Sequence, residues 1–401
     1  MSRRYRVLQY ASGGVGKHAV AGIAAHPELE LAGLLVHNRD KAGQDAGTLA
    51  GIAPLGVAAT DSIEQALALK VDCVSYMALW PDVDLICRFL ESGKNVVTTS
   101  GLLYPKFFGQ ALVDRLEAAC AKGGASVHGT GINPGFSGEV LPLTMSVLSR
   151  RIERITVREF ADFRTYNSPE LNHAMLGFGR ELSEVRAGKH PNFDLMMRFF
   201  HQSIHMVADG LGLPLDRIEQ TEEHGITRGG ALIESGPVPP GTIGGIKTRF
   251  AGIVAGRPLI EILLTWVATY DLGEGWPQPQ DASNDTQWSV TIEGEPSLRC
   301  CPSMNMTRHA SSVPTMRRRP SPSNDARPSR GSPPCTRTAL RKACGSRRKS
   351  RMRWPICNSP PATAYRFNSA AWCASGSTPV SLSPPLPGAR LSTWTAIVAT
   401  T

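Results

Sequence analysis

Tyr5 to Val20 limits what this chain can fold into more than any other stretch. An apolar run, Tyr5-Arg6-Val7-Leu8-Gln9-Tyr10, leads into the glycine-rich turn Ala11-Ser12-Gly13-Gly14-Val15-Gly16, and a helical segment starts at Lys17-His18-Ala19-Val20. A strand that turns straight into a helix leaves the first helical N–H groups bare and aimed over the strand end. That terminus carries partial positive charge and suits a phosphate. Glycines there let a pyrophosphate approach and let helix and strand pack closely. The spacing departs from G-x-G-x-x-G at its first position, where Ala11 stands, while Gly13 and Gly16 fill the second and third. The stretch reads as a nucleotide loop with Ser12, Gly13, Gly14, Val15 and Gly16 as its contacts. A plain tight turn is the alternative.

Strand and helix signals then alternate. Apolar runs at 29–37, 71–78, 94–99 and 125–129 read as buried parallel strands. Between them, Pro81 opens a helix that stops at Gly93, and Leu112, Leu116 and Ala119 mark another over 107–122. This is the pattern of an α/β, Rossmann-type doubly wound parallel sheet. From 152 onward the texture changes to a long alternating strand, two helical segments at 168–187 and 192–212, and hairpins around Gly256-Arg257-Pro258 and Glu293-Gly294-Glu295-Pro296. That predicts an α+β second domain with a mixed or antiparallel sheet. The expected division is a dinucleotide-binding domain over 1–140, a substrate and oligomerisation domain over 141–300, and a disordered basic tail over 301–401.

The formal charge of +9 misleads, because the two parts differ. Residues 1–300 hold 27 Lys and Arg against 33 Asp and Glu; residues 301–401 hold 16 against the single Asp325. The larger part is mildly acidic and shows no nucleic-acid footprint. The tail holds 14 of the 30 prolines and 5 of the 9 cysteines, with no lasting periodicity and no metal-ligand spacing. Such a composition does not bury enough apolar surface to offset chain entropy. It reads as out-of-frame translation of GC-rich sequence, against a nucleic-acid-binding arm or a disulfide module. Cys73, Cys87, Cys120 and Cys300 are scattered, as in a reduced cytoplasmic protein. There is no signal-peptide pattern and no membrane span: the longest apolar candidate, Ile246 to Tyr270, contains Lys247, Arg249, Arg257 and Glu261.

Four segments carry a family resemblance: the loop Tyr10 to Lys17, the strand end Val96-Val97-Thr98-Thr99-Ser100-Gly101, the crossover Gly131-Ile132-Asn133-Pro134-Gly135-Phe136, and Glu159-Phe160-Ala161-Asp162-Phe163…Tyr166 with Gly177-Phe178-Gly179 after it. On these, residues 5–300 resemble the dihydrodipicolinate reductase-like oxidoreductases, most closely the branch of 2,4-diaminopentanoate and amine dehydrogenases. The resemblance implies NAD(P) binding, a homo-oligomer of two or four chains, and hydride transfer at a carbon bearing nitrogen, by imine reduction or by oxidative deamination of an amino acid or amine. No equivalent of the reductases' His-His segment is found, which argues against a lysine-biosynthetic role.

Ligands of a doubly wound sheet sit at the carboxyl ends of its strands. Those ends supply His37, Arg39, Lys41, Ala78, Leu79, Thr98, Thr99 and Asn133 as further cofactor candidates. No acid stands at the tip of the second strand, where an NAD site usually has one, and Arg39 and Lys41 suit a 2′-phosphate. NADP is therefore favoured over NAD. The cofactor carries the hydride, so side chains must bind substrate and move a proton. Glu159 and Asp162 are read together as amine ligands or base, Tyr166 as a proton donor or orienting group, and Arg164 as a carboxylate clamp or a solvated charge. His201 and His205, spaced i, i+4 beside an apolar stripe, read as core-edge residues rather than metal ligands. Two other readings compete with the enzyme acting on nitrogen: a non-catalytic NADP-binding module, and a reductase of a carbonyl or hydroxyl substrate.

Overall fold

The computed structural model describes residues 3–186, 191–276, 286–301 and 303–304. The tail reading falls almost wholly outside them. Six parallel strands form the first sheet: β1 (Tyr5–Tyr10), β2 (Leu29–Leu35), β3 (Ala59–Thr60), β4 (Cys73–Tyr76), β5 (Asn95–Thr98) and β6 (Val127–Gly129), in the order β3-β2-β1-β4-β5-β6. The order reverses between β1 and β4, which opens a crevice above their carboxyl ends. Five helices cover the two faces: α1 (Gly14–Ala25), α2 (Ala46–Ala50), α3 (Ile63–Ala68), α4 (Val83–Glu91) and α5 (Gln110–Gly123).

Burial on both faces explains why these strands read as unbroken apolar runs. Val7, Val20, Ile23, Leu29 and Leu34 close one side, and Leu8, Val74, Ile86, Phe89 and Leu116 close the other. Residues 41–70 gave no clear sequence signal, because α2, β3 and α3 are only two to six residues long. One side chain organises much of that stretch. The Asp45 carboxylate accepts N–H bonds from Gly47, Thr48, Leu55, Gly56 and Val57.

After α6 (Val140–Ser146), the second sheet is built from β7 (Arg151–Asp162), β8 (Arg217–Ile226), β11 (Ile243–Val254), β12 (Arg257–Val267), β13 (Thr286–Glu295) and β14 (Leu298–Cys300), ordered β14-β13-β7-β12-β11-β8. The short strands β9 (Ala231–Ile233) and β10 (Gly236–Val238) pair separately, and β15 (Ser303–Met304) adds to β13. The sheet is mixed: β7 runs parallel to β12 and antiparallel to β13. Both expected hairpins are present, as β11–β12 and β13–β14. Edge strand β8 carries Glu219, Glu222 and Glu223, a charged edge that hides the strand pattern.

The helix expected over 168–187 is a correction. It is broken into a π-turn, Glu170–Met175, and α7 (Leu182–Arg186). Gly177 (φ 75°) and Gly179 (φ 82°) take the left-handed conformation between them, and Phe178 drops fully buried into the core. The helix expected over 192–212 is α8 (Pro191–Gly210), whose Phe193, Met197, Phe200 and Ile204 pack on the second sheet.

The loop at the start of α1 is tightly packed. Ala11 sits at φ 72°, in the region that suits glycine. A Cβ on Gly16 would stand 2.1 Å from the Ala11 carbonyl oxygen. Gly16→Ala is therefore expected to destabilise the chain by about 1–3 kcal/mol, whereas Ala11→Gly should stabilise it by roughly 0.5–1 kcal/mol as left-handed strain is relieved. Urea denaturation of both variants checks the opposite signs.

Candidate active site

The glycine loop fits the group the sequence suggests. Gly13 caps α1 without any side-chain bond, and a Cβ there would meet nothing within 4 Å. The N–H groups of Gly14, Val15 and Gly16 begin the helix without an intrahelical acceptor. Gln9, fully buried, donates to the Tyr10 and Ala11 carbonyls at 2.9 and 3.0 Å and so fixes the strand end below the loop. Ser12 is buried, and the Lys41 ammonium reaches its hydroxyl at 3.2 Å. The result is an open, electropositive cradle with a lysine over its mouth.

The neighbouring strand ends differ in what they offer. Past β2, His37 Nε2 lies 2.7 Å from the Tyr10 hydroxyl. The Arg39 side chain is 92% exposed and stands 3.9 Å from Asp61. Past β4, the Ala78 carbonyl accepts from Ser100, while Leu79 is 46% exposed. Thr98 and Thr99 are committed to neighbours. Thr98 Oγ1 accepts from the Ser100 N–H, and Thr99 donates to Met77 sulfur at 3.2 Å.

The second domain brings three acidic or phenolic candidates close in sequence but not to one place. Glu159 and Asp162 are three residues apart on β7, so strand alternation puts them on opposite faces. They do not form the pair that the sequence suggests. Glu159 faces α8 and is buried. Its Oε1 accepts from Trp266 Nε1 at 2.6 Å, and Oε2 accepts from Trp288 Nε1 at 2.8 Å and Asn133 Nδ2 at 2.6 Å. Burial raises its pKa, and the three donors lower it by less. Asp162 lies on the other face in a fork with Arg164 (2.9 and 2.7 Å) and takes the Tyr270 hydroxyl at 2.7 Å. The Arg164 guanidinium also lies 4.5 Å from the Tyr270 ring centroid. Arg164 is thus tied within its own domain.

Tyr166 does reach the glycine loop. A Cβ built on Gly14 would lie 3.8 Å from its hydroxyl oxygen. Burial raises the phenol's pKa. His201 bonds the Gln220 side chain at 3.1 Å and, like His205, faces the Phe107 ring.

Sequence reasoning missed Glu139, just before α6. It is fully buried, bonds the Gly135 N–H at 2.7 Å and accepts the Ser203 hydroxyl of α8. Burial pushes its pKa up to about 7 against two hydrogen bonds that pull it down. Its available sequence signal was an acid directly after the Gly135-Phe136-Ser137-Gly138 crossover. Around it, Asn133 Oδ1 is buried without a donor among the described residues.

Comparison with known proteins fits this arrangement. A family model described as the 2,4-diaminopentanoate dehydrogenase C-terminal domain matches residues 136–308. An amine dehydrogenase of Streptomyces virginiae is 33% identical over 300 residues, spanning 72% of this chain and 82% of its own length. A 2,4-diaminopentanoate dehydrogenase of Acetoanaerobium sticklandii is 26% identical over 181 residues, 45% of this chain and 51% of that one. Among solved structures, the amine dehydrogenase from Mycobacterium smegmatis superposes with a TM-score of 0.61 at 25% identity, covering 74% of this chain and 86% of that one.

Glu139 gives stability a pH dependence of definite sign. The folded state raises its pKa from 4.5 to about 7, so it holds the proton more tightly than the unfolded chain does. Its contribution is whole below the ordinary carboxylic range and is lost as pH rises towards 7. The loss amounts to about 3 kcal/mol. Glu139→Gln is expected to remove that slope in urea denaturation between pH 5 and pH 8.

Proposed function

The chain belongs to the family of amine and 2,4-diaminopentanoate dehydrogenases, and from that premise we propose that it oxidises an apolar primary amine, with NADP taking the hydride and water supplying the oxygen, to a carbonyl compound, ammonia, NADPH and a proton. It is an NAD(P)-dependent oxidoreductase that works at a carbon bearing nitrogen. Catalytic turnover of this kind is the family's activity, which leaves the binding-only and carbonyl or hydroxyl readings without support.

The observation that carries the proposal is the convergence of Tyr166, from the second domain, on the bare N-terminus of α1. A nicotinamide dinucleotide bound there would rest its phosphates on the Gly13–Gly16 backbone and supply the hydride acceptor. Lys41 and Arg39 then flank the ribose, and the absence of a carboxylate at the β2 tip favours a 2′-phosphate. Tyr166, half-buried and with a raised pKa, holds its proton at neutral pH and is suited to donate it to the departing nitrogen. Asn133 offers a buried, donor-free oxygen to an N–H of the coenzyme or the amine. Glu159 is enclosed by two indoles and acts through Asn133 by fixing which way its amide points. Asp162 holds Arg164 and Tyr270 on the other face of β7.

Two strand ends carry exposed apolar side chains, Leu79 just past β4 and Phe136 in the crossover that follows β6. That suits an amine with an apolar chain. Among the described residues the cysteines are unpaired and no helix is long and apolar enough to cross a membrane. A reducing cytoplasm suits them. The outer face of the second sheet carries Arg249 and Arg154 around Glu261, at 2.6 and 3.6 Å, and is the surface we assign to homo-oligomer contacts.

Coenzyme reduction by a panel of apolar primary amines and matching α-amino acids tests the activity. Turnover of the amines is expected, and no turnover with any amine ends the proposal. Tyr166→Phe should lower kcat about 10²-fold while coenzyme affinity holds. Lys41→Ala should cut the NADP-over-NAD preference roughly tenfold, about 1.4 kcal/mol, measured as the ratio of the two Kd values.

A further inference from the structure

The carboxyl ends of β1 and β2 are joined by a hydrogen bond between two side chains of unlike burial. Tyr10 closes β1 and His37 stands just past β2. The Tyr10 hydroxyl and His37 Nε2 lie 2.7 Å apart, with ring centroids at 5.4 Å. Tyr10 is 3% exposed, whereas His37 is exposed. The Tyr10 ring is braced in turn by Tyr76 of β4, centroid to centroid 4.7 Å, and the Tyr76 hydroxyl accepts the N–H of Asp82 at the head of α4. A fixed, buried phenol therefore holds an imidazole at the surface.

Donor count gives the direction of that bond. A phenol has one proton, and an imidazole nitrogen either gives or takes. Among the described residues, His37 Nε2 is the partner of the Tyr10 hydroxyl. Were Nε2 the donor, the buried phenolic proton would be left without an acceptor, which is costly. Burial, and after it the charge of Asp82, raises the Tyr10 pKa, so the phenol keeps its proton. Tyr10 thus donates, Nε2 accepts, and the ring's own N–H is Nδ1.

The surroundings give that N–H a use. Asn38 Oδ1 accepts the Asp40 N–H at 2.9 Å and folds Arg39–Lys41 into a 3₁₀ turn. The Arg39 guanidinium meets Asp61 only at 3.9 Å, and Lys41 reaches back to Ser12. A ribose 2′-hydroxyl is usually met at this strand tip by a carboxylate acceptor, whereas a 2′-phosphate is all acceptor and needs donors.

We propose that His37 reads the 2′ position of the coenzyme and that Tyr10 is its positioning residue. By donating to Nε2, Tyr10 turns the free edge of the imidazole into a donor for a 2′-phosphate. Had the bond run the other way, Nδ1 would be an acceptor and would suit the 2′-hydroxyl of NAD. The inference rests on the NADP reading of the same site and adds the two residues that enforce it.

The test is by binding and needs no turnover. Calorimetry gives Kd for NADP and NAD with the full chain, as wild type, Tyr10→Phe, His37→Ala and the double variant. Adenosine 2′,5′-bisphosphate and AMP repeat the comparison without the nicotinamide. The wild type should favour the 2′-phosphorylated member of each pair. His37→Ala should cut that preference roughly tenfold, by weakening the phosphorylated ligand alone. Tyr10→Phe keeps the ring on Tyr76 and should cut it about threefold to fivefold, part of the worth of the bond it positions. The double variant should match His37→Ala, because Tyr10 acts only through the imidazole. A preference unmoved in Tyr10→Phe overturns the proposal, as does equal weakening of both ligands or a Tyr10→Phe effect that persists without His37. If Tyr10→Phe does not fold, the exposed His37→Ala decides with both ligand pairs. A wild type that favours NAD rejects the NADP reading and this inference together. A wild-type preference for NADP that survives in His37→Ala rejects the role of His37 and leaves the NADP reading standing.

Discussion

A single desolvated carboxylate ties the two domains' chemistry together. Glu159 takes N–H bonds from the crossover, from β12 and from β13. Hydrogen bonds to a charged acceptor contribute roughly 1.5–3 kcal/mol each. Three of them come close to the penalty of several kcal/mol for burying an ion. Its pKa is raised all the same, so burial outweighs the three donors. Removing any one donor would leave a buried charge short of a partner, so the crossover, β12 and β13 are held in mutual register by a group that gains little net energy itself. The Asn133 amide inherits that fixed geometry, at the point where the first domain's last strand hands over to the second domain.

The same economy governs the glycine loop. Its shape comes from what is missing at Gly13 and Gly16 and from what Gln9 holds below. Ala11 carries a left-handed backbone where a glycine would be easier, and its carbonyl is the atom that excludes a side chain at Gly16. The strain and the close approach are one feature: turning the Ala11 carbonyl under α1 permits Gln9 to satisfy it and lets the helix start directly over the strand end.

Much of this was legible in the residues. Apolar runs with glycine and proline punctuation located β1, β2, β4, β5, β6 and the helices α4 and α5, because strands buried on both faces and long amphipathic helices leave strong patterns. The stripe of Phe193, Met197, Phe200 and Ile204 located α8, and the two hairpin turns located β11 to β14. Short elements held by one polar side chain, as around Asp45, leave no periodicity to find. Edge strand β8 hides its alternation under glutamates. The broken helix at 170–186 shows tertiary demand overriding local propensity, since Phe178 is worth more in the core than a continuous turn is on the surface. Glu139 stayed invisible because an acid beside a glycine-rich turn looks solvated until the fold closes over it.

The site residues divide along a line that sequence proximity obscures. Glu159 and Asp162 look like partners when counted along the chain, yet a strand places residues three apart on opposite faces. On one face of β7, Glu159 gathers the indoles of Trp266 and Trp288 from the flanking strands. The other presents Phe160 stacked on Tyr270, with Asp162 gripping Arg164 and the same tyrosine. A sheet used on both sides needs polar groups that are satisfied within their own face, and each carboxylate here has its donors at hand. The Asp162 fork takes the Nε–H and an Nη2 N–H of Arg164, which sets the guanidinium over the Tyr270 ring and leaves its Nη1 side unused by that carboxylate.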